Sequence, residues 1–183
     1  TDKMLRKLRS DEDFIIDQKA YIRARLFDML IGDWDRHADQ WRWATTKMNG
    51  KTIYQPVPRD RDQAFSKMGD GTLFAIGRVL IPTAKMLQSY DGDLKNEKWF
   101  NMEPYPLDVT LTSESDISVW ESQAQYIQTH LNDSIIDAAF LDFPKELQNN
   151  TINTIKQHLK SRREKLLDIA KNYYKVVSNT TVV

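Results

Sequence analysis

The sequence predicts a mainly α-helical domain of the α+β class that carries one small β-hairpin. The first observation behind this prediction is the recurrence of apolar residues at every third or fourth position over residues 13–31 and 152–176. The second is the pair Asn49-Gly50, a strong two-residue turn signal between two short segments of alternating polarity. The third is size, because 183 residues with 40% hydrophobic content can form one domain with its own core.

Composition narrows the classes of function. The 26 basic and 26 acidic residues give a formal net charge of zero, so no overall field favours nucleic acid or an anionic membrane surface. There is no cysteine, which excludes disulfides, thiolate metal sites and thiol nucleophiles. No apolar run reaches the roughly 18 residues of a membrane span, so none is predicted. The chain begins with Thr1 rather than Met, and we expect it to be a piece of a longer protein.

The first half is predicted to contain a helix followed by the hairpin. Residues 13–31 are predicted to form one helix, with an apolar face wide enough for a central and buried position. Residues 41–44 and 52–57 alternate apolar and polar side chains on either side of the turn, which predicts the two strands. Pro56 and Pro58 indicate an edge or the end of the returning strand.

Three segments make up the predicted single domain, residues 1–183. They are a helix and hairpin that carry the motifs (13–66), a loop-rich insertion or lid (67–111) and a helical bundle (112–177). A short helix over 82–90 is predicted inside the insertion. In the bundle, capping signals such as a capping box at Ser113 and Asp116, together with apolar periodicity, predict helices at 113–130, 132–140, 144–147 and 152–176.

Two short acidic segments hold the side chains best suited to bind a metal or to move a proton. The first reads GDWDRHADQW over residues 32–41, and its glycine is predicted to end the preceding helix. The second reads PRDRDQAF over residues 58–65. If the strands pair around the turn, Gln40 and Asp60 lie near the open end of the hairpin, and the two segments meet there. This arrangement is what metal-dependent phosphoryl transfer requires.

The spacing of three groups agrees with the kinase form of that chemistry. In kinases one Asp orients the acceptor hydroxyl and accepts its proton, and an amide about five residues later binds a metal ion. A second Asp, after a short hairpin, holds Mg²⁺ against the nucleotide phosphates. Asp35, Gln40 and Asp60 stand in this order, with the predicted hairpin between the second and the third.

Residues 35–40, DRHADQ, resemble the D-R-H-x-x-N catalytic loop of atypical protein-kinase-like enzymes. These enzymes include the phosphatidylinositol kinases, the HipA and CotH types and the secretory-pathway casein kinases. Residues 60–65 resemble their D-x-x-x-x-F metal loop. The resemblance implies a kinase C-lobe-like helical domain in which the hairpin carries the acidic site. It implies these roles: Asp35 as the catalytic base, Arg36 and His37 as braces of the loop, Gln40 and Asp60 as metal ligands, and Asp62 as a second ligand or the alternative to Asp60.

The resemblance also implies Mg²⁺ or Mn²⁺ and ATP as cofactors and an unidentified phosphoryl acceptor as partner. Gln40 stands where the family has Asn, and no Gly-rich loop or strand-borne Lys precedes the motif. We therefore expect the chain to be inactive alone and to act with other domains of a longer parent. A weaker similarity, to segments between a phosphoesterase domain and an outer-membrane β-barrel in bacterial surface proteins, implies a periplasmic or outer-membrane location.

Other interpretations of the acidic segments stay open. They can form a solvated loop whose Asp residues cap helices and pair with Arg36, Arg59 and Arg61. In an extended segment, alternate residues would face one side and could hold a cation, which predicts a metal-dependent hydrolase; these residues are Asp33, Asp35, His37 and Asp39. A non-catalytic interaction module with a degenerate kinase-like fold is the third alternative.

The remaining candidate residues are predicted to be structural. Trp41 and Trp43 share a face of the first strand, and core packing is favoured over ligand stacking. His130 and His158 are predicted on helix surfaces. The basic residues of the final helix alternate with acidic ones, so a solvated face is favoured over contact with nucleic acid.

Overall fold

The computed structural model describes residues 1–68 and 82–179. It confirms the mainly helical α+β class predicted from the sequence. The helices are α1 (Asp2–Ser10), α2 (Gln18–Ile31), α3 (Glu97–Phe100), α4 (Tyr105–Thr112), α5 (Ile117–His130), α6 (Asp133–Ala139), α7 (Asn150–Glu164) and α8 (Leu166–Ser178). The strands are β1 (Phe14–Ile16), β2 (Trp41–Met48) and β3 (Lys51–Pro58). Short 3₁₀ turns lie at Ala38–Gln40, Pro82–Met86 and Lys145–Leu147.

Helix α2 is shorter than predicted at its start and ends where predicted. The carboxylate of Asp17 accepts a hydrogen bond from the backbone N–H of Ala20 at 2.9 Å and so caps the first turn. The predicted start at residue 13 is wrong, because Phe14–Ile16 forms a strand that pairs with a distant partner. Gly32 ends the helix with φ of +78°, a conformation that glycine adopts without strain.

The sheet has the order β1-β3-β2. The predicted hairpin is confirmed, since β2 and β3 pair antiparallel around Asn49-Gly50, and both turn residues have positive φ. Strand β3 is central rather than at the edge, because β1 pairs parallel with its residues 52–54. Pro56 and Pro58 lie beyond that overlap and, within the described part of the chain, pair only with β2, which explains how a central strand accommodates two prolines.

Helix α2 is the centre of the hydrophobic core, packed against α4, α5, α7, α8 and β3. A second, smaller cluster joins the sheet to the helices and contains Met4, Tyr21, Trp41, Leu107 and Leu111. Trp41 is fully buried and lies with its ring centroid 4.9 Å from that of Tyr21 and 5.7 Å from that of Trp43. The predicted core role of these tryptophans is confirmed.

The part of the chain predicted as a loop-rich insertion contains helices where the structure describes it. Helices α3 and α4 lie there, and Leu107 and Leu111 of α4 are buried in the second cluster, so α4 belongs to the core. The helix predicted over 82–90 is a 3₁₀ turn that ends at Met86. Residues 69–81, also within the predicted insertion, lie outside the described residues.

The bundle follows the prediction with two corrections. Helix α5 is capped by the carboxylate of Asp116, which accepts from two backbone N–H groups, whereas Ser113 ends the preceding helix. The final helix is two helices, α7 and α8, which meet at Lys165. The side-chain amide of Gln128 donates to the carbonyls of Arg163 and Glu164, at 2.8 and 3.1 Å, and so satisfies backbone groups freed by the break.

Within the described residues, no helix is both long enough and apolar enough to cross a membrane.

Candidate active site

The open end of the hairpin brings the two acidic segments together, as the sequence predicted. The backbone N–H of Arg59 donates to the carbonyl of Gln40 at 2.8 Å. The carbonyl of Arg59 accepts a short hydrogen bond from Nη1 of Arg36. Around these contacts lies a cleft of about 530 Å³, lined by His37, Asp39, Gln40, Arg42, Arg59 and Asp60.

Arg36 supports the floor of this cleft. Its side chain is fully buried and donates to both carboxylate oxygens of Asp28, at 2.9 and 3.1 Å, and to the carboxylate of Asp33. Bidentate pairing of this kind fixes the plane of a guanidinium group. Together with its bond to the carbonyl of Arg59, it ties α2, the loop after α2 and the end of β3 into one rigid unit.

Gln40 lines the cleft and has a buried side-chain oxygen. The residue is 8% exposed, and its Oε1 has no hydrogen-bond partner among the described residues. A buried polar atom without a partner is rare in folded proteins, because leaving it unpaired costs about 1–3 kcal/mol. Amide oxygens are ligands of hard cations such as Mg²⁺ and Ca²⁺. The donor set therefore fits a metal ion.

Asp60 also lines the cleft and has an unusual backbone conformation. Its φ is +54°, a left-handed value that Asp tolerates better than most residues and that is often found at functional positions. Oδ1 of Asp60 accepts a hydrogen bond of 3.4 Å from the N–H of Asp62, and among the described residues no cation pairs with this carboxylate. Asp62 is exposed and does not line the cleft. Of the two candidate ligands, Asp60 is the one that lines the cleft together with Gln40.

Asp35 and His37 complete the first segment. His37 lines the cleft, whereas Asp35 is half-buried beside it and is not among the lining residues. The carbonyl of Asp35 accepts from the N–H of His37 at 3.0 Å. In the described part of the chain, no hydrogen bond or ion pair engages the Asp35 carboxylate, which leaves it free to accept a proton.

The structure does not place the four alternating residues in one extended segment with a shared face. Asp33 is 1% exposed and pairs with Arg36, whereas Asp39 is exposed, because the chain turns into a 3₁₀ helix at Ala38. The described residues contain no group of three or more His, Asp or Glu side chains that could hold a metal ion. A metal in the cleft would therefore take ligands beyond carboxylates and imidazoles.

Burial changes the acidity of Asp33. Loss of hydration and repulsion by Asp28 raise the pKa of Asp33 from 3.8 to about 6, although Arg36 acts in the opposite direction. The solvated-loop interpretation predicted exposed pairs between Asp residues and Arg36, Arg59 and Arg61. The structure places Arg36 in a buried network instead, and of these three arginines only Arg61 forms a partly exposed pair with a described residue, at 3.3 Å from Asp28.

Sequence reasoning missed the buried network behind the cleft. Arg25 donates to Asp28 at 2.8 Å and to Asp108 at 3.0 Å, and all three side chains are fully buried. The hydroxyls of Tyr21 and Tyr173 each donate to Asp108 at 2.6 Å. Burial raises the pKa of Asp108, while Arg25 and the two hydroxyls lower it. The available signal was local: two charged residues within the apolar face of α2.

Fold and cleft together define a mainly helical α+β domain with a polar cleft at the open end of a hairpin. Comparison of the chain with protein-family models, with curated proteins and with solved structures found no match. The function must therefore be argued from the cleft itself.

Proposed function

We propose that this chain is the larger, helical lobe of a kinase-like phosphotransferase, and that its cleft serves metal-dependent phosphoryl transfer from ATP. One observation carries the proposal: Gln40, whose buried Oε1 has no partner among the described residues, lines the same cleft as Asp60. An amide and a carboxylate, at the positions where the kinase-like motifs have their metal ligands, fit Mg²⁺ or Mn²⁺.

Two ligands from the protein are enough for such an ion. Mg²⁺ keeps several waters and is usually bound by one or two carboxylates together with substrate phosphates, rather than by an all-protein cage. In this proposal Gln40 and Asp60 hold the ion, which when bound neutralises charge on the transferring phosphoryl group.

The other residues have roles in positioning and proton transfer. The acceptor hydroxyl attacks the γ-phosphorus, its proton passes to the carboxylate of Asp35, and the bond to the ADP leaving oxygen breaks. Arg36 holds the loop that carries Asp35, through its buried contacts with Asp28 and Asp33. His37 borders the cleft beside them.

Activity in this proposal belongs to a longer parent protein. A preceding lobe would supply the Gly-rich loop and the Lys that cradle the nucleotide, and without it the chain is inactive. On the weaker resemblance, the parent lies in the periplasm or at the outer membrane of a bacterium.

The test combines metal binding with phosphoryl transfer. Mn²⁺ affinity of the chain is measured by titration calorimetry, and transfer from γ-labelled ATP is measured for the chain and for a version extended at its N-terminus. We expect Asp60→Asn to lower Mn²⁺ affinity about tenfold, because the ligand charge is lost. Asp35→Asn should keep the metal and lower transfer about a hundredfold or more. Asp62→Asn, an exposed carboxylate outside the cleft, is the matched control.

Other outcomes would select a different function. If Mn²⁺ affinity is the same in Asp60→Asn as in the Asp62→Asn control, the metal site is wrong. Metal binding with hydrolysis of a phosphoester in the absence of ATP would support the metal-dependent hydrolase. No metal binding in either version would support the non-catalytic interaction module.

A further inference from the structure

We infer that Arg59 and Arg42 form an anion subsite in the same cleft and bind the polyphosphate tail of the phosphoryl donor. This inference rests on the proposed function for the identity of the donor. It adds a source of phosphate-binding cations within this chain, which the kinase-like motifs do not include.

Arg59 has a fixed backbone and an available side chain. Its N–H and its carbonyl are both engaged, by the carbonyl of Gln40 and by the guanidinium of Arg36, so its position at the cleft is set. Its own guanidinium is exposed and makes no hydrogen bond or ion pair with any described residue. Buried arginines such as Arg25 and Arg162 are in contrast fully engaged within the fold. A guanidinium with all five N–H donors available can bind phosphate oxygens in pairs.

The guanidinium group of Arg42, unlike that of Arg59, is held in place by hydrogen bonds to the backbone. Its Nη1 donates to the carbonyls of Asp39 and Trp41, at 3.0 and 2.9 Å. Its other two guanidinium nitrogens have no described partner. One anchored nitrogen orients the planar group in advance, which lowers the entropy lost when a ligand binds.

With a divalent ion bound, the charges in the cleft would favour a polyanion. Asp39 and Asp60 also line it, yet within the described residues neither carboxylate lies within ion-pair distance of Arg42 or Arg59. If the arginines served only to neutralise these carboxylates, the four side chains would be expected to pair. A divalent ion on Gln40 and Asp60 would leave the cleft with an excess of positive charge, and a polyphosphate would balance it.

The experiment uses inorganic tripolyphosphate as the probe, titrated calorimetrically with and without Mn²⁺. Arg59→Gln, and the double variant Arg42→Gln with Arg59→Gln, should lower tripolyphosphate affinity at least about tenfold, because charge-assisted hydrogen bonds to phosphate are lost. Neither should lower the affinity for Mn²⁺ alone. Arg6→Gln, which removes the same charge from an exposed position on α1, is the matched control and should keep the affinity.

The outcomes separate this subsite from the proposed metal site. A loss in Arg59→Gln no larger than that in Arg6→Gln would overturn the subsite, whether or not Mn²⁺ binds. If Mn²⁺ does not bind but the Arg59→Gln loss persists without metal, the subsite stands and the proposed function fails. The last titration uses inorganic monophosphate. If it binds as tightly as tripolyphosphate, the ligand of the subsite is a single phosphate group and the assignment to a polyphosphate tail is overturned.

Discussion

Asp28 holds two arginines that belong to different parts of the molecule. Its Oδ2 accepts from Arg25 at 2.8 Å and from Arg36 at 2.9 Å, and all three side chains are fully buried. Arg25 also donates to the carboxylate of Asp108 on α4, and Arg36 also donates to the carbonyl of Arg59, directly after β3. Removing one partner from a buried ion pair typically costs about 3–5 kcal/mol. The geometry of the cleft is therefore determined by the core of the fold.

The first prediction concerns Asp33, whose pKa is raised to about 6 by burial. Between about pH 4 and about pH 6 the unfolded chain releases this proton while the folded chain keeps it, so the contribution of Asp33 to stability falls as pH rises. The unfolding free energy of the wild type minus that of Asp33→Asn should decrease as pH rises across this window and be constant above about pH 7. Urea denaturation at four pH values measures it.

Asp62→Asn is the control for this experiment, because it removes an exposed carboxylate from the neighbouring segment. Any slope that it produces is subtracted as the general effect of losing one acidic side chain. If the unfolding free energy of the wild type minus that of Asp33→Asn increases from about pH 4 to about pH 6, the effect of Arg36 on the pKa of Asp33 outweighs that of burial.

At the scale of elements, the end of α2 depends on a glycine in close contact with a distant ring. Gly32 has φ of +78°, and a Cβ there would lie 2.6 Å from Cδ2 of Tyr90. Gly50 has nearly the same φ, +79°, with nothing within 4 Å of its Cβ position. Substitution by alanine should therefore cause backbone strain at both glycines but steric overlap only at Gly32.

The second prediction uses this pair. Gly50→Ala should cost about 1 kcal/mol of unfolding free energy, for the left-handed conformation alone. Gly32→Ala should cost about 2–4 kcal/mol, because overlap with Tyr90 adds the typical cost of overpacking. In a Tyr90→Ala background, Gly32→Ala should cost only about as much as Gly50→Ala. Urea denaturation of the wild type and these four variants tests this, and equal costs for Gly32→Ala and Gly50→Ala would contradict the role of the overlap.

Local elements were predictable from the sequence where their signals are local. The hairpin follows from Asn49-Gly50 and the alternation around it, and the end of α2 follows from Gly32. Strand β1 has no such signal, because its three residues continue the apolar pattern of α2 and pair with residues 52–54. The break at Lys165 escaped prediction for a similar reason. The amide that satisfies the freed carbonyls comes from Gln128, on another helix.

At the scale of the whole molecule, the cleft at the end of the hairpin was predictable from the sequence, whereas the buried network behind it was not. The meeting of Gln40 and Asp60 at the cleft follows from hairpin register, which depends on neighbouring residues. The support behind it depends on partners far apart in the chain, such as Arg25 and Asp108, separated by 83 positions. Sequence spacing carries no information about such pairs, because only the packing of α2 against α4 brings them together.

The third prediction concerns how stability is distributed over the molecule. The amides of Leu26, Met29 and Leu30 lie at the centre of α2, which packs against four helices and β3. They should exchange with solvent only through global unfolding. The distal half of β2, from Thr45 to Met48, is exposed and, among the described strands, pairs only with β3. It should exchange through local opening at a lower free energy.

Hydrogen exchange at increasing urea concentrations distinguishes these two modes, because only the amides that require global unfolding follow the full denaturant dependence. Equal protection and equal urea dependence at the hairpin tip and in α2 would contradict the prediction. The cleft lies at the opposite end of the hairpin, where Trp41 is buried and Gln40 accepts from Arg59. Opening of the tip should therefore leave the cleft intact, and the amide of Arg59 should be protected more strongly than those of the distal half of β2.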